Sequence, residues 1–509
     1  MNISSAFLER LAKYEYEKFE AVSHKPVETQ FQVLQELLQT AKNTEFGRKY
    51  SFASIKTVEE FRKAVPLVTY ENIAPLWHRA FDGDRDVTWP GHIKYFALSS
   101  GTTAGNKLLP VSREAIKSNK KGGRLLLSFL IRRAGVNVIL DGKFFYLGGS
   151  TTLRRRGKSF YGDASGIMGK HIPFYVRSRY LPQPDIARIS DWEDKISEIL
   201  KKYLECNVTV LAACPSWATL LFKQMVEKAS EKGTSRLVSD LWPKFRCFIS
   251  YGMAFEPYRP AFEKYIGNTI TYIDTYSSSE GGLTAIQEEP GGPFRLIVNN
   301  GIFWEFVPVD KTSEEQPPRL HIGEVTPGVE YEVIVNSNGG IWGYRLGDVI
   351  RFESIIPPRI VFAGRTQISL NAFGEHVTLE MLENAIAEAC KRTKTTVIDY
   401  TVVPMYPEDK GSKPGHKWLV EFDGPQPDLS LFINIVDSHI RNINEDYDTH
   451  RKNNYGMNPP VIVPVARGTF YTWMKKIGKL GGQHKVPRVV NKQKADEIIE
   501  ISSSLKSAP

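Results

Sequence analysis

Four cysteines in 509 residues are too few to staple the chain, and Cys206, Cys214, Cys247 and Cys390 lie too far apart for CxxC redox chemistry or zinc-ligand pairs. No apolar run approaches the 18 to 20 residues of a membrane-spanning helix, and Met1–Glu20 mixes apolar and charged residues where a signal peptide would have an unbroken apolar core. The ten histidines include no HExxH pair, and neither a GxSxG elbow nor a GxxxxGK[ST] phosphate loop occurs. These absences argue against secretion, a zinc hydrolase and a side-chain nucleophile. They leave a cytoplasmic globular enzyme or binding protein with no membrane partner.

What the chain does have is an ordinary composition, 41% apolar and 24% charged, and a length that suggests roughly three domain-sized units. Its net charge of +9 is concentrated. Arg113–Lys158 holds twelve basic residues against Glu114 and Asp141. Such a block suits a phosphate backbone, a small anion or a solvated face. Its few aromatics (Phe129, Phe144, Phe145) fall in core-like patterns, which speaks against nucleic acid.

Apolar runs at Phe144–Leu147, Val208–Ala212, Phe248–Ser250 and Ile270–Tyr276 read as buried strands, separated by helical stretches at Trp192–Leu204, Trp217–Lys228 and Pro260–Tyr265. That alternation predicts parallel α/β units. From Phe303 to Phe362 strand signals dominate and predict a β-rich subdomain. Beyond Gly364-Arg365 the pattern becomes α+β. The turn-rich, polar stretch with Ser369, Asn371, Gly374 and Glu375 is the expected hinge, which divides the chain into an N-terminal domain, 1–368, and a smaller mobile α+β domain, 369–509.

Three stretches carry chemistry. Ser99-Ser100-Gly101-Thr102-Thr103-Ala104-Gly105-Asn106-Lys107 follows a strand-like run, and its small residues, hydroxyls and lysine suit a loop wrapped round phosphate. Thr275-Tyr276-Ser277-Ser278-Ser279-Glu280 closes a predicted strand, where open α/β sheets bind ligands. Tyr344-Arg345-Leu346-Gly347-Asp348 places an acid just after a glycine that reads as a turn.

In this order the three stretches resemble the acyl-adenylate-forming, luciferase-like superfamily. More narrowly, they are similar to the Gretchen Hagen three family of acyl acid amido synthetases. Phe303-Trp304-Glu305-Phe306 and Gln483-His484-Lys485-Val486-Pro487-Arg488 extend the resemblance over residues 95 to 490. It implies a ligase with ATP and Mg2+ as cofactors. A carboxylic acid would be activated as acyl-AMP and passed to an amine, by expectation an amino acid. Ser99, Ser100, Gly101, Thr102 and Thr103, with Thr275 through Ser279, would hold the nucleotide. Glu280 would ligate Mg2+, Asp348 would take the ribose hydroxyls, Phe303 would stack on adenine, and Arg365 would contact ribose or phosphate. Lys485 would be the catalytic cation at the α-phosphate. By the same analogy the acyl pocket is expected along Lys117–Leu130 and near Leu147 and Tyr161. Gly281-Gly282 stands where plant members often carry Cys-Tyr. An acyl-CoA ligase, and a nucleic-acid or acidic-surface binding protein on an inactive adenylation fold, are the alternatives.

Overall fold

The computed structural model describes residues 5–506 apart from 101–105, 175, 232–236, 253–254, 367–369, 371–374, 376, 406–413, 445–446, 449–450, 455–456 and 481–483. Its architecture is mixed α/β, with sheets of eleven, four and three strands. The chain divides into two compact units. One comprises Met1–Cys214, Gln224–Met253 and Gly267–Phe362, the other Pro215–Lys223, Ala254–Ile266 and Ala363–Pro509. The second unit thus combines the chain from Ala363 onward with two short segments from the middle of the chain.

In the larger unit the strands Lys143–Leu147, Val208–Ala213, Cys247–Tyr251 and Thr271–Ser278 are mutually parallel. They are the four apolar runs singled out in the sequence, and both faces are buried because helices cross over between them. Their carboxyl ends are level. Leu147 pairs with Ala213, Ala213 with Ser250, and Tyr251 with Thr275. Gly148, Cys214, Tyr251 and Thr275 therefore lie in one row along that edge.

The strands from Ile302 to Arg365 pair antiparallel with one another, as their alternation predicts. Through Phe294–Leu296 they join the same eleven-stranded sheet. Over this part lies the main core, in which Trp342 meets Phe52 at 4.7 Å and donates from Nε1 to the Thr88 carbonyl at 3.0 Å. A second core under the parallel strands is filled by Phe129, Leu125, Val210 and Ile249.

Tyr95–Ser100 belongs to the four-stranded sheet, antiparallel to Asn106–Val111 and parallel to Ser159–Asp163. Ser99 and Ser100, which open the serine-rich stretch, thus pair with Lys107 and Asn106, which close it. In the smaller unit Val397–Met405, Gly415–Phe422 and Val461–Val465 form a three-stranded sheet against helices Leu379–Thr393 and Leu429–Ile443. Glu375, expected in a polar hinge, is fully buried there and pairs with His416 Nε2 at 3.1 Å.

Candidate active site

The strand Thr271–Ser278 and its antiparallel partner Gly282–Gln287 form a hairpin, so Ser279, Glu280 and Gly281 are its turn at the carboxyl edge of the parallel sheet. Thr275 is buried, its hydroxyl donating to the Ser250 carbonyl at 2.8 Å, and Ser278 Oγ accepts from the Gly281 amide at 3.1 Å. Glu280 is half-buried, with its carbonyl 3.5 Å from Ser337 Oγ. Gly282 has φ +70, and a Cβ there would fall 2.1 Å from Asn119 Oδ1, which accepts from the Leu283 amide at 3.2 Å. The basic helix Arg113–Ala134 is thereby seated directly on the turn, and only glycine fits beneath it.

The second acid comes from a long neighbouring strand. Residues Ile341–Ile355 are continuous, but register shifts between Glu332 and Ile334, so that residues 346 to 348 face a single residue of the partner strand. The sequence reads a turn at Gly347. The structure has a bulge, with Gly347 at φ +78, which bends the strand and re-aims the next side chain. That side chain is Asp348, 2% exposed, and Tyr276 donates its hydroxyl to Asp348 Oδ2 at 2.7 Å. Two motifs 72 residues apart thus meet side chain to side chain. Arg345 is held by Glu332 at 3.0 and 3.2 Å from its Nε.

Several expectations need revising. Phe303 is 1% exposed and meets Phe61 edge-on at 5.9 Å, so it is a core residue and offers no face for adenine to stack on. Its neighbour Glu305 is fully buried against Arg319, with Nε to Oε1 at 3.0 Å. Leu125 and Phe129 are core, as their apolar pattern led one to expect, and Leu130 joins them. Gly101, Thr102 and Thr103 lie outside the described residues, as do the side chains of Ser99 and Ser100, whose backbones pair with Lys107 and Asn106. Much of the basic block has local work: Lys121 donates to the Asn299 carbonyl, Arg124 meets Glu15 and Arg156 meets Asp82.

Arg365 ends the strand Pro358–Arg365 and is half-buried. Lys485 belongs to the smaller unit, and its side chain is exposed on an extended segment pinned on both sides. Before it, the His484 carbonyl accepts from Trp217 Nε1 at 3.2 Å. After it, Arg488 is buried, donating to the Tyr258 hydroxyl at 2.6 Å and the Tyr400 carbonyl at 3.0 Å and pairing with Asp399. Burial pushes the Asp399 and Glu383 carboxyls up despite the guanidinium beside them. The sequence reading used Arg488 only as part of a motif. A lone arginine inside Val486-Pro487-Arg488-Val489-Val490 was the available signal.

These residues suit a nucleotide and a hard cation. Asp348, oriented by a phenol, can accept from hydroxyls. Among the described residues no three His, Cys, Asp or Glu side chains gather into a metal cage. Glu280, half-buried at the hairpin turn, is a single carboxylate of the kind with which Mg2+ is held, by one or two carboxylates completed by phosphate oxygens and water.

Family models match residues 15–191 and 156–271 as the GH3 family N-terminal domain, 295–365 as the central domain and 380–494 as the C-terminal domain. The chain belongs to the GH3 family. Among its relatives, the jasmonoyl–L-amino acid synthetase JAR4 of Nicotiana attenuata is 23% identical over 96% of this chain and 95% of that one. The probable indole-3-acetic acid-amido synthetase GH3.1 of Arabidopsis thaliana is 24% identical over 90% and 88%. The fold of this GH3 chain is that of a solved GH3.15 acyl acid amido synthetase, with TM-score 0.77 and 20% identity over 95% and 94% of the two chains. It is also that of a 2-hydroxyisobutyryl-CoA ligase in its postadenylation state, with TM-score 0.61 and 13% identity over 94% and 92%. Among the described residues no helix is long and apolar enough to cross a membrane.

Proposed function

We propose that this GH3 chain is an ATP-dependent acyl acid amido synthetase that joins a small carboxylic acid to an amine through an acyl-adenylate, the amine being an amino acid. Membership of the family supports the reaction class. The observation that carries the site is the Tyr276–Asp348 hydrogen bond, which puts the two acid-bearing motifs of the family together at one edge of the sheet.

In the first step a carboxylate oxygen attacks the α-phosphorus of ATP, the bond to the bridging oxygen breaks, and pyrophosphate leaves with the electron pair. Little covalent work falls to the protein, whose task is positioning and charge neutralisation. Asp348 would accept from the ribose hydroxyls, with Tyr276 fixing the carboxylate's direction. The Ser99–Thr103 loop would donate to phosphate oxygens, and Glu280 would hold Mg2+, which supplies charge neutralisation when bound. Lys485 would place a compact positive charge at the α-phosphate as negative charge builds. Arg365 would contact ribose or phosphate. In the second step the neutral amine nitrogen attacks the acyl carbonyl, the carbon–oxygen bond to phosphate breaks, AMP leaves, and the amine proton passes to solvent. Residues 369–509 would act as the mobile domain that carries Lys485.

Purified protein given ATP, Mg2+, a panel of carboxylic acids and a panel of amino acids should release pyrophosphate in an acid-dependent way and form AMP and an amide. ADP formation, or pyrophosphate release that no acid changes, would overturn this reading. AMP release that requires coenzyme A would replace the amine with a thiol acceptor.

A further inference from the structure

The strands Tyr95–Ser100, Ser159–Asp163 and Arg154–Arg156 lie side by side, and their register sets Tyr95 against Phe160 and Phe160 against Arg155. Residues paired across a sheet share a face. On this face three cations converge on one ring. Lys94 and Lys170 each place Nζ 5.6 Å from the Phe160 centroid, and the Arg155 guanidinium lies 5.8 Å from it. Lys94 also lies 5.6 Å from the centre of the Tyr95 ring, which His171 meets edge-on at 4.9 Å. All three cations are exposed, and Phe160 is half-buried among them.

The cluster is not neutralised from within. Among the described residues Lys94, Arg155, Lys158 and Lys170 meet no carboxylate. Arg156, sent to the opposite face by the alternation of the strand, is the arginine that pairs with Asp82. Asp163 is turned toward the backbone of Gly149, where a Cβ would fall 2.2 Å from its Oδ2. Burial lowers His92 and His171, and the charges that lower them further are all cations: Lys158, Arg85 and Lys94 for the first, Lys120, Lys170 and Lys94 for the second. Anionic groups laid against this face would relieve that crowding.

Two observations choose among anionic partners. A single-stranded nucleic acid stacks its bases on bare aromatic faces, whereas here the Phe160 ring is ringed by cations and the Tyr95 ring is shared by Lys94 and His171. Phe174 is 84% exposed and stands three residues past His171, which at full stretch is about 10 Å of chain. Its turn is closed by the Val176 amide on the Pro173 carbonyl at 3.1 Å and the Arg177 amide on the Phe174 carbonyl at 3.3 Å. Arg177 and Arg179, which follow, are exposed as well. Basic side chains beside a protruding aromatic suit a bilayer surface, where the charges meet anionic headgroups and the ring enters the acyl boundary. We propose that the face built from Lys94, Arg155, Phe160 and Lys170, with Phe174 beside it, docks this protein on an anionic lipid surface. The expectation of no membrane partner rested on the missing span, which bears on crossing a bilayer and not on lying against one. The docking face does not depend on the ligase reading.

The test sediments the full chain with vesicles of phosphatidylcholine alone and with vesicles in which part of that lipid is replaced by phosphatidylserine. Binding should require the anionic lipid and fall steeply as salt is raised. Combining Lys94→Gln, Arg155→Gln and Lys170→Gln should weaken partitioning about 100-fold, roughly fivefold for each charge removed. Phe174→Ala, which leaves the charge unchanged, should weaken it about tenfold. All four side chains project from the surface, so the urea midpoint of both variants should match wild type. Equal binding to the two kinds of vesicle, binding to neither, or a triple variant that binds as wild type does would overturn the proposal. If Phe174→Ala binds like wild type and inositol hexakisphosphate strips the protein from the vesicles, the cluster serves a soluble polyanion and the bilayer assignment falls. A single-stranded oligonucleotide held more tightly than the anionic vesicles would overturn it in favour of nucleic acid.

Discussion

The two compact units fix the side chains proposed for the site by opposite means. In the larger one, Asp348 is itself buried and is aimed by a bulge and a neutral phenol. In the smaller one, Lys485 is exposed, and it is the backbone on either side that is fixed, by the Trp217 indole and by a buried guanidinium among carboxylates. A hydrogen bond from a neutral phenol to a carboxylate contributes about 1.5–3 kcal/mol, whereas a buried ion pair is costly to form and more costly to break. The difference suits the roles assigned to them. A ribose-binding carboxylate can be preset in a sheet, while a lysine that must meet a phosphate has to stay in water on a segment that cannot drift.

The comparison is broken most severely at the smaller unit. Arg488→Ala leaves Asp399 and Glu383 buried without their guanidinium and should cost about 3–5 kcal/mol in urea unfolding, together with activity. Lys485→Ala, an exposed change, should leave stability within about 0.5 kcal/mol while acid-dependent pyrophosphate release falls about 10²- to 10³-fold. If Lys485→Ala unfolds as readily as Arg488→Ala, the distinction between reactive residue and anchor is lost.

A smaller loss is expected at the larger unit. Tyr276→Phe removes the hydroxyl and should cost about 1.5–3 kcal/mol of stability and raise KM for ATP about fivefold. An unchanged KM would mean that Asp348 needs no aim.

A pH dependence sharpens the electrostatic side. Glu421, buried and accepting from the amides of Gly468 and Phe470, is pushed by burial up to about 7. A carboxyl whose folded value lies above its unfolded one adds stability that is complete below about 4.5 and is lost as pH rises through about 7. The smaller unit should therefore weaken between those limits, and Glu421→Gln should flatten the slope. A stability that rises across this window in wild type would contradict the assignment.

The parallel strands were legible because each is a continuous apolar run, and Tyr276 and Asp348 stood out because both lie in motifs with a known order, though their hydrogen bond joins residues 72 apart and no local pattern announces it. Other features were hidden for physical reasons. Phe303 sits in Ile302-Phe303-Trp304, and an aromatic in an apolar run reads the same whether it is a platform or core. Gly347 supplies a positive φ in either a turn or a bulge, and only the register of the partner strand tells them apart. Glu375 looked like hinge polarity because its partner His416 is 41 residues further on. Of the three cations round Phe160 only Arg155 falls within the basic block Arg113–Lys158, so the charge count did not mark Lys94 and Lys170 as its neighbours. The single continuous sheet was invisible as well, since strand pairing is not encoded within any one strand.

The make-up of the smaller unit bears on how the chain can be cut and made. Trp217 and Tyr258, which hold the segment carrying Lys485, are translated well over two hundred residues before it. A fragment starting at Ala363 would carry Arg488, Asp399 and Tyr400 but neither Trp217 nor Tyr258. On the ribosome, these two mid-chain segments must wait with their aromatic faces uncovered until the last stretch of the chain emerges, so the smaller unit is completed by the end of synthesis rather than by its own sequence neighbourhood.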